Sequence, residues 1–451
     1  MENKKYYPMT MQQQALADYA APLQSMELLN EAACLSFDEA VEETLLQRAV
    51  REMIAHLPYF RVQMHRGEDG EILQYLSEYV PERIESVELG ELDEAERSEL
   101  FLGWAQEAFS DPFGDIPLYL IRLFRYADGK SGLFFCFEHF IFDGYAAVYA
   151  LQYLMAVYDA LVKGTTLPAP GPEPWIILEQ DKKRMPLYEK LLLEQNKSFE
   201  TEPRFTSLNG LGSSEFVDGA QYGKLMDFTQ LVGDVIDYML PVGFAERIEA
   251  ASRENNISPQ NYYILALRSF LGRVSGTDDV TLQMISNCRA SLYEKRCGMT
   301  MGNSFLFRTV LPEELRFSQA LVALTDVHNQ ALRYVKVKGT HQRDLLQRRF
   351  QTPEGCGYDM ATLSYFARMK LPEGLPKFHF RFVSNGLALT PFYMIVVPDS
   401  NCGTVRASYQ YSVDYTRRES VEKFHNFMLR FLENGLNEPE TSLRELIDKC
   451  I

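Results

Sequence analysis

The sequence has little of what defines a disulfide-rich or metal-binding protein. Its seven cysteines are odd in number, scattered and without a CxxC pair, which argues against a disulfide framework and a structural zinc site. The histidines form no cluster with metal-ligand spacing. We therefore expect reduced thiols and no bound metal.

Long apolar runs are also missing. No run approaches the roughly 20 residues that span a bilayer. The N-terminus, MENKKYYP, lacks the apolar core of a signal peptide. These absences predict a cytoplasmic protein with no membrane span.

Positive charge is scarce, because 45 lysines and arginines face 62 acidic residues and the net charge is −17. Nucleic acid and anionic membranes both require basic surface, so we expect neither as a partner. One local basic patch stands out. Both a solvated helical face and an anion-docking surface fit this patch, which consists of Lys336, Lys338, Arg343, Arg348 and Arg349.

The chain contains a mixture of strand and helix patterns, which predicts an α/β protein, and its 451 residues suffice for two domains. The stretch richest in proline and glycine, GTTLPAPGPEPW, has the composition of a linker. We accordingly predict an N-terminal subdomain at 1–170, a linker and crossover segment at 171–230, and a C-terminal subdomain at 231–451.

Three ionisable residues close an apolar run in the stretch FEHFIFDG, residues 137–144. The preceding residues, 133–137, are continuously apolar and predict a strand that is buried on both faces. The residues after Gly144 have helical spacing up to Gly164, a common helix stop. The charged residues therefore lie between a buried strand and a helix, where charge is costly unless it is paired.

HFIFDG matches the HxxxDG core of the HHxxxDG motif of the CoA-dependent acyltransferases. The chain most resembles their nonribosomal peptide synthetase condensation-domain branch, and it does so over nearly its whole length and in order. Besides the motif, the resemblance rests on YYPMTMQQQAL, LQRAVREMIAHLPYFRV, ISPQNYYILALRSFLGRVSGTDDVTLQMISNCRA, GMTMGNSFLFRTVLP and YQYSVDYTRRESVEKFHNFMLRFLENGL. Two departures stand out: Glu138 replaces the first motif histidine, and the DFGWG signature of plant acyltransferases is absent.

The resemblance implies two chloramphenicol-acetyltransferase-like α/β domains in a V-shaped arrangement, with a substrate tunnel between them. It also implies a role in secondary metabolism of the nonribosomal peptide kind. The expected co-substrate is a thioester of phosphopantetheine or CoA, with no permanently bound cofactor. The expected partners are acyl-CoA or an acyl carrier protein in trans, together with an amine or alcohol acceptor.

His139 is the catalytic candidate, because acyl transfer to an amine or hydroxyl needs a base that titrates near the working pH. Orienting the acceptor or stabilising the developing charge are open alternatives for the same side chain. The resemblance implies that Asp143 pairs with Arg289, and a buried carboxylate needs such a partner. We expect Gly144 to provide backbone freedom or close approach in the turn. Glu138 should point away from His139 into a structural salt bridge or hydrogen bond.

Polar residues in the C-terminal half could line the tunnel and bind the acyl or pantetheine portion of the substrate. The candidates are Asn303, Ser304, Ser384 and Tyr411. Ordinary polar turn residues are an equally open interpretation. The leading hypothesis is a stand-alone condensation-like acyltransferase. The alternative is a degenerate condensation-like domain that binds or recruits a partner.

Overall fold

The computed structural model describes residues 4–20, 26–109, 111–197, 199–227, 231–241, 243–336, 339–398, 401 and 403–451. Lys338 of the basic patch and Cys402 lie outside the described residues. The other six cysteines are buried and free.

Within these ranges the helices, in chain order, are α1 (Met11–Ala20), α2 (Glu43–His56), α3 (Glu94–Glu107), α4 (Gly144–Lys163), α5 (Ile176–Lys197), α6 (Phe244–Asn255), α7 (Pro259–Ser275), α8 (Leu292–Arg296), α9 (Phe317–Ala331), α10 (Gly339–Phe350), α11 (Arg418–Asn437) and α12 (Leu443–Asp448). Short 3₁₀ turns cover Met26–Leu29, Pro58–Arg61 and Leu332–Tyr334.

The strands are β1 (Tyr7–Pro8), β2 (Asn30–Phe37), β3 (Val62–Arg66), β4 (Ile72–Leu76), β5 (Glu85–Gly90), β6 (Tyr119–Tyr126), β7 (Ser131–Glu138), β8 (Gly223–Lys224), β9 (Gly233–Met239), β10 (Asp279–Ser286), β11 (Asn303–Val310), β12 (Cys356–Gly357), β13 (Ala361–Tyr365), β14 (Phe378–Val383), β15 (Phe392–Pro398) and β16 (Val405–Ser412).

Two larger sheets organise the chain. The first has five strands in the order β14-β2-β7-β6-β5, and the second has six in the order β11-β10-β13-β15-β16-β9. In the second sheet β13 runs parallel to both of its neighbours, while the outer pairs are antiparallel. The small sheets β1-β4-β3 and β12-β8 complete the mixed α/β architecture.

The predicted buried strand is confirmed in β7, all eight residues of which are buried. Its alternating side chains enter two separate cores, with Phe135 and Phe137 on the face packed with α2 and α4, and Phe134 and Cys136 on the face packed with α3. This explains why the run is continuously apolar, since both faces of the strand are covered.

Helix α4 follows β7 after a turn of five residues and ends at Gly164, which has a φ of 62°. Glycine tolerates this left-handed conformation without a side-chain penalty. By length and composition α4 is the one described helix that could cross a membrane, but 61% of its most apolar window is buried inside the protein. A helix that is hydrophobic and mostly buried has the pattern of a core helix.

One strand crosses from the second half of the chain into the first sheet. β14, at Phe378–Val383, pairs antiparallel with β2, so that Phe380 lies opposite Leu35. Phe378 and Phe380 join the core formed by α2, α4 and β7. The predicted boundaries at 1–170, 171–230 and 231–451 stay a prediction. The first sheet, however, contains β14, which belongs to the range predicted as the C-terminal subdomain.

Candidate active site

A cavity of about 1180 Å³ reaches His139 and is lined by residues from both halves of the chain. Glu31 and His139 line it from the first half, and Gln283, Ser364 and Tyr393 line it from the second. Clefts of this size commonly hold ligands of small-molecule dimensions. The site therefore combines a candidate base with room for a substrate.

The turn after β7 fixes the orientation of His139. The peptide N–H of His139 donates to the carbonyl of Leu29 at 2.9 Å, and the hydroxyl of Thr300 donates to the carbonyl of His139. The ring nitrogen Nδ1 lies 2.6 Å from the carbonyl oxygen of Phe142. Because a carbonyl only accepts, Nδ1 carries the hydrogen, and Nε2 is left as the nitrogen available for acid–base chemistry.

Nε2 of His139 lies 3.3 Å from Oε1 of Glu31, the second residue of β2. Burial lowers the pKa of His139, but the charge of Glu31 and the Phe142 carbonyl outweigh it, and the net direction is upward. Burial likewise raises the pKa of Glu31, against the opposing charge of His139. The two groups face each other at the cavity with 20% and 34% of their side chains exposed.

Asp143, the last residue of the turn after β7, connects this turn to the second half of the chain through hydrogen bonds. Its Oδ1 accepts from the N–H of Ala146 at 2.8 Å and so caps α4. Its Oδ2 accepts from Nη1 of Arg289 at 2.8 Å and from the N–H groups of Met301 and Gly302 at 2.9 and 2.7 Å. Burial raises the pKa of Asp143, but Arg289 and these donors hold it below its ordinary value. The pairing that the resemblance implies is thus present.

The side chain of Arg289 is itself fully buried and donates four hydrogen bonds. Its guanidinium donates to the carbonyls of Asn287, Cys297 and Met299 at 3.0, 3.3 and 2.6 Å, and lies over the ring of Tyr145 at 4.5 Å. A planar guanidinium satisfies several acceptors at once, which suits a buried ion pair. Arg289 therefore joins the loop after β10 to the start of α4.

Gly144 is the first residue of α4 and lines the cavity. A Cβ built at this position would lie 2.6 Å from Cζ of Phe366. We expected glycine here for either backbone freedom or close approach. The structure shows close approach, because Phe366 of the second half leaves no room for a side chain.

Glu138 is fully buried on the strand face of Cys136, away from the cavity. No salt bridge joins Glu138 to another described residue, and its carboxylate oxygens have no hydrogen-bond partner of normal geometry among those residues. The nearby N–H groups of Phe140 and His139 favour the charged form, but burial outweighs them and raises the pKa of Glu138 well above its ordinary value, which favours the neutral form. Asn30, its register partner on β2, also has a buried Oδ1 without a partner in the described part of the chain.

Three of the four proposed substrate-binding residues line the cavity: Asn303, Ser304 and Ser384. Asn303 also donates from Nδ2 to the carbonyl of Val335 at 2.7 Å. Ser384 accepts from the N–H of Gly386 at 2.9 Å.

The expectation for Tyr411 is wrong. Its ring lies in the core of the second half, and its hydroxyl donates to Oδ2 of Asp234 at 2.6 Å. Successive residues of a strand face opposite ways, and the residue of β16 that lines the cavity is its neighbour Gln410.

The basic patch is partly neutralised. Lys336 donates to the buried Glu294 at 2.6 Å, and Arg343 donates to Asp359 at 2.7 Å. These two residues therefore form ion pairs within the chain, which reduces the positive charge available to an anionic partner.

Sequence reasoning missed Glu31, the carboxylate nearest to the candidate base. It lies 108 positions from His139 and reaches it because β2 pairs with β7, with Glu31 opposite Phe137. The available signal was the one acidic side chain in the mostly buried strand NEAACLSF, whose other residues are uncharged. A charge inside such a strand is costly enough to suggest a site.

The fold is the two-lobed α/β fold of chloramphenicol acetyltransferase type, as predicted. The first condensation domain of the calcium-dependent antibiotic synthetase superposes with a TM-score of 0.81 at 16% identity, covering 98% of both chains. The starter condensation domain of rhizomide synthetase, in complex with C8-CoA and Leu-SNAC, superposes with a TM-score of 0.77 at 17% identity, covering 97% of this chain and 96% of that one.

The sequence comparison agrees with the fold. Residues 3–190 match the family model described as Condensation domain. Surfactin synthase subunit 1 of Bacillus subtilis (strain 168) is 24% identical over 453 residues, which cover 98% of this chain and 12% of that protein. The chain thus spans about an eighth of this relative's length. The chain is thus similar to condensation domains over residues 3–190, and over nearly its whole length it shares the fold of solved condensation domains.

Proposed function

We propose that the protein transfers an acyl or aminoacyl group from a pantetheine thioester to an amine or hydroxyl acceptor, with His139 as general base. The single observation that carries this proposal is the position of His139 Nε2 at a cavity of about 1180 Å³ lined by both halves. Its Nδ1 is fixed as a donor by the Phe142 carbonyl, which leaves Nε2 to accept a proton.

The chemistry follows from that geometry. Nε2 takes the proton of the acceptor as its nitrogen or oxygen attacks the thioester carbon, and a tetrahedral oxyanion forms. The oxyanion collapses, the C–S bond breaks, and His139 returns the proton to the leaving thiolate. A C–N or C–O bond replaces the C–S bond, and no covalent acyl-enzyme is required.

Either CoA or a carrier protein could present the thioester. The starter condensation domain that shares this fold is in complex with C8-CoA and Leu-SNAC, which supports thioesters as co-substrates. The net charge of −17 and the internal ion pairs of Lys336 and Arg343 disfavour docking of an acidic carrier protein. C8-CoA is the first donor to test, because the starter condensation domain that shares this fold holds it.

A binding or recruitment module is the second candidate function. Its support is the absence of the first motif histidine, replaced by the buried and neutral Glu138. Glu138 lies away from the cavity, whereas His139 reaches it. The retained histidine at the cavity wall therefore favours the enzyme.

The test is free-thiol release from C8-CoA and from acyl-phosphopantetheine carrier donors, each with Leu-SNAC, other amines and alcohols as acceptors. We expect acceptor-dependent release that falls about 100-fold or more in His139→Ala, because that is the usual contribution of a general base.

The matched control is His65→Ala. Nδ1 of His65 lies 2.8 Å from Oδ2 of Asp115 at a partly exposed position outside the cavity, so its removal should leave turnover unchanged. Near-normal turnover in a folded His139→Ala variant would refute the general-base role. Absence of release from every donor would favour the recruitment module.

A further inference from the structure

Glu31 occupies a position that the motif does not account for. It is a carboxylate on the wall of the cavity, and its Oε1 lies 3.3 Å from the nitrogen of His139 that faces the substrate. In the described part of the chain, His139 is its only ion-pair partner. A substrate atom that reaches Nε2 must therefore also approach Glu31.

Nε2 of His139 and Oε1 of Glu31 lie within charge-pair distance of each other, at 3.3 Å. Nδ1 already donates to the Phe142 carbonyl, so Nε2 and Oε1 are both acceptors unless one of them is protonated. One additional proton on the pair makes the contact attractive, either as imidazolium with carboxylate or as imidazole with carboxylic acid. Two such groups titrate as a unit, and their pKa values belong to the pair.

The surroundings do not neutralise Glu31. The other ionisable groups that act on it or respond to it are Cys136 and Glu138 on β7, Asp143 at the start of α4, and Tyr393 on β15. All of these are neutral or negative. Arg289 is engaged with Asp143. Among these groups only the proton shared with His139 balances the charge of Glu31, and a cation that displaces this proton can take its place beside Nε2.

We propose that Glu31 binds the ammonium group of an amine acceptor beside His139, accepts its first proton, and thereby favours amines over alcohols. This inference rests on the proposed acyl transfer and names the acceptor class of the same site. An α-amino group has an ordinary pKa of about 7.7–8.0 and arrives largely protonated at neutral pH, so it must lose a proton before it can attack.

The protons balance over one cycle. Binding of the ammonium releases the shared proton to solvent, which leaves carboxylate and neutral imidazole. Glu31 then takes one proton from the ammonium, and His139 takes the second as the amine attacks the thioester carbon. His139 gives its proton to the leaving thiolate. Amide and thiol leave, and Glu31 retains one proton, which restores the resting pair. An alcohol has one proton to lose and needs only His139.

The experiment compares wild type with Glu31→Gln, using C8-CoA as donor. The acceptors are Leu-SNAC and its counterpart with a hydroxyl in place of the amine. We expect Glu31→Gln to reduce amine turnover about 10-fold or more, which is the loss typical of a hydrogen bond to a charged group. Hydroxyl turnover should stay within about threefold. Glu31→Asp should restore part of the amine turnover, and the exposed Glu78→Gln should match wild type for both acceptors.

A second measurement does not depend on turnover. The ring of His139 is titrated by NMR, and its pKa should fall in Glu31→Gln because the facing carboxylate is lost. An unchanged titration, or an equal loss of amine and hydroxyl turnover, would overturn the proposal. If wild type releases no thiol while the His139 titration still shifts, the proposed acyl transfer fails with these substrates, whereas the proton-sharing pair is supported.

Discussion

Two buried carboxylates lie five residues apart in one motif and have opposite electrostatic states. Asp143 accepts four hydrogen bonds, one of them from Arg289, and its pKa is held down. Glu138 has only the nearby backbone N–H groups of His139 and Phe140 to favour its charged form, and burial raises its pKa above its ordinary value. Burial alone therefore does not decide whether a carboxylate is charged. The donors that the fold supplies decide it.

The largest effect should come from removing the partner of the ionised carboxylate. Arg289→Met leaves Asp143 buried and unpaired, and we expect the free energy of unfolding to fall by about 3–5 kcal/mol. Urea titration measures the change. The double variant Asp143→Asn with Arg289→Met should lose less than the two single variants added together, because the groups contact each other.

The exposed ion pair of Arg316 with Glu440 provides the control. Both side chains are more than half exposed, so Arg316→Ala should cost far less than Arg289→Met. Equal losses in the two variants would mean that the buried pair contributes no more than a surface pair.

The raised pKa of Glu138 should make the free energy of unfolding depend on pH. Above the ordinary pKa of glutamate, Glu138 ionises in the unfolded chain but stays neutral in the folded one, which penalises folding as pH rises. Asp143, with its lowered pKa, has the opposite sign and loses its contribution as pH falls. Glu138→Gln should therefore gain stability relative to wild type between about pH 4 and 7.

Thermal or urea unfolding across that pH range measures the difference. Only the slope is diagnostic, because the amide of glutamine adds a pH-independent cost. A flat difference, equal to that of the exposed Glu78→Gln, would contradict a neutral Glu138.

The smallest effect should come from a carboxylate that is paired but partly exposed. Asp234 accepts from the hydroxyl of Tyr411, and 41% of its side chain is accessible. Tyr411→Phe removes one hydrogen bond and should lower the free energy of unfolding by about 1 kcal/mol. Thiol release should be unchanged, since Tyr411 lies in the core. A loss of turnover without a loss of stability would restore Tyr411 to the substrate site.

The motif could be located from sequence because its signals are local. A continuous apolar run predicted β7, and helical spacing ended by Gly164 predicted α4. The resemblance added Arg289 as the partner of Asp143, 146 positions away. Glu31 and β14 reach the site and the first sheet through strand pairing between distant segments. No local sequence pattern of comparable strength predicts such pairings.

Polarity alone also could not assign the cavity wall. Ser304 was a candidate as a polar residue in or near a strand, and Tyr411 was a weaker candidate of the same kind. The register of β16 decides that Gln410 rather than Tyr411 lines the cavity. A shift by one residue exchanges the two faces of a strand. The sequence VRASYQYS alternates, so that Tyr411 belongs to the apolar and aromatic face and Gln410 to the polar one, and this alternation was an available signal against Tyr411.

The pairing of β14 with β2 has a consequence for dissecting the protein. A fragment that stops before residue 378 would leave β2 as an open edge, with unpaired peptide groups next to an apolar core. Such edges recruit other strands and promote aggregation. The two lobes are therefore interlocked by their backbone, and the first lobe expressed alone would need β14 supplied as a separate peptide to remain monomeric.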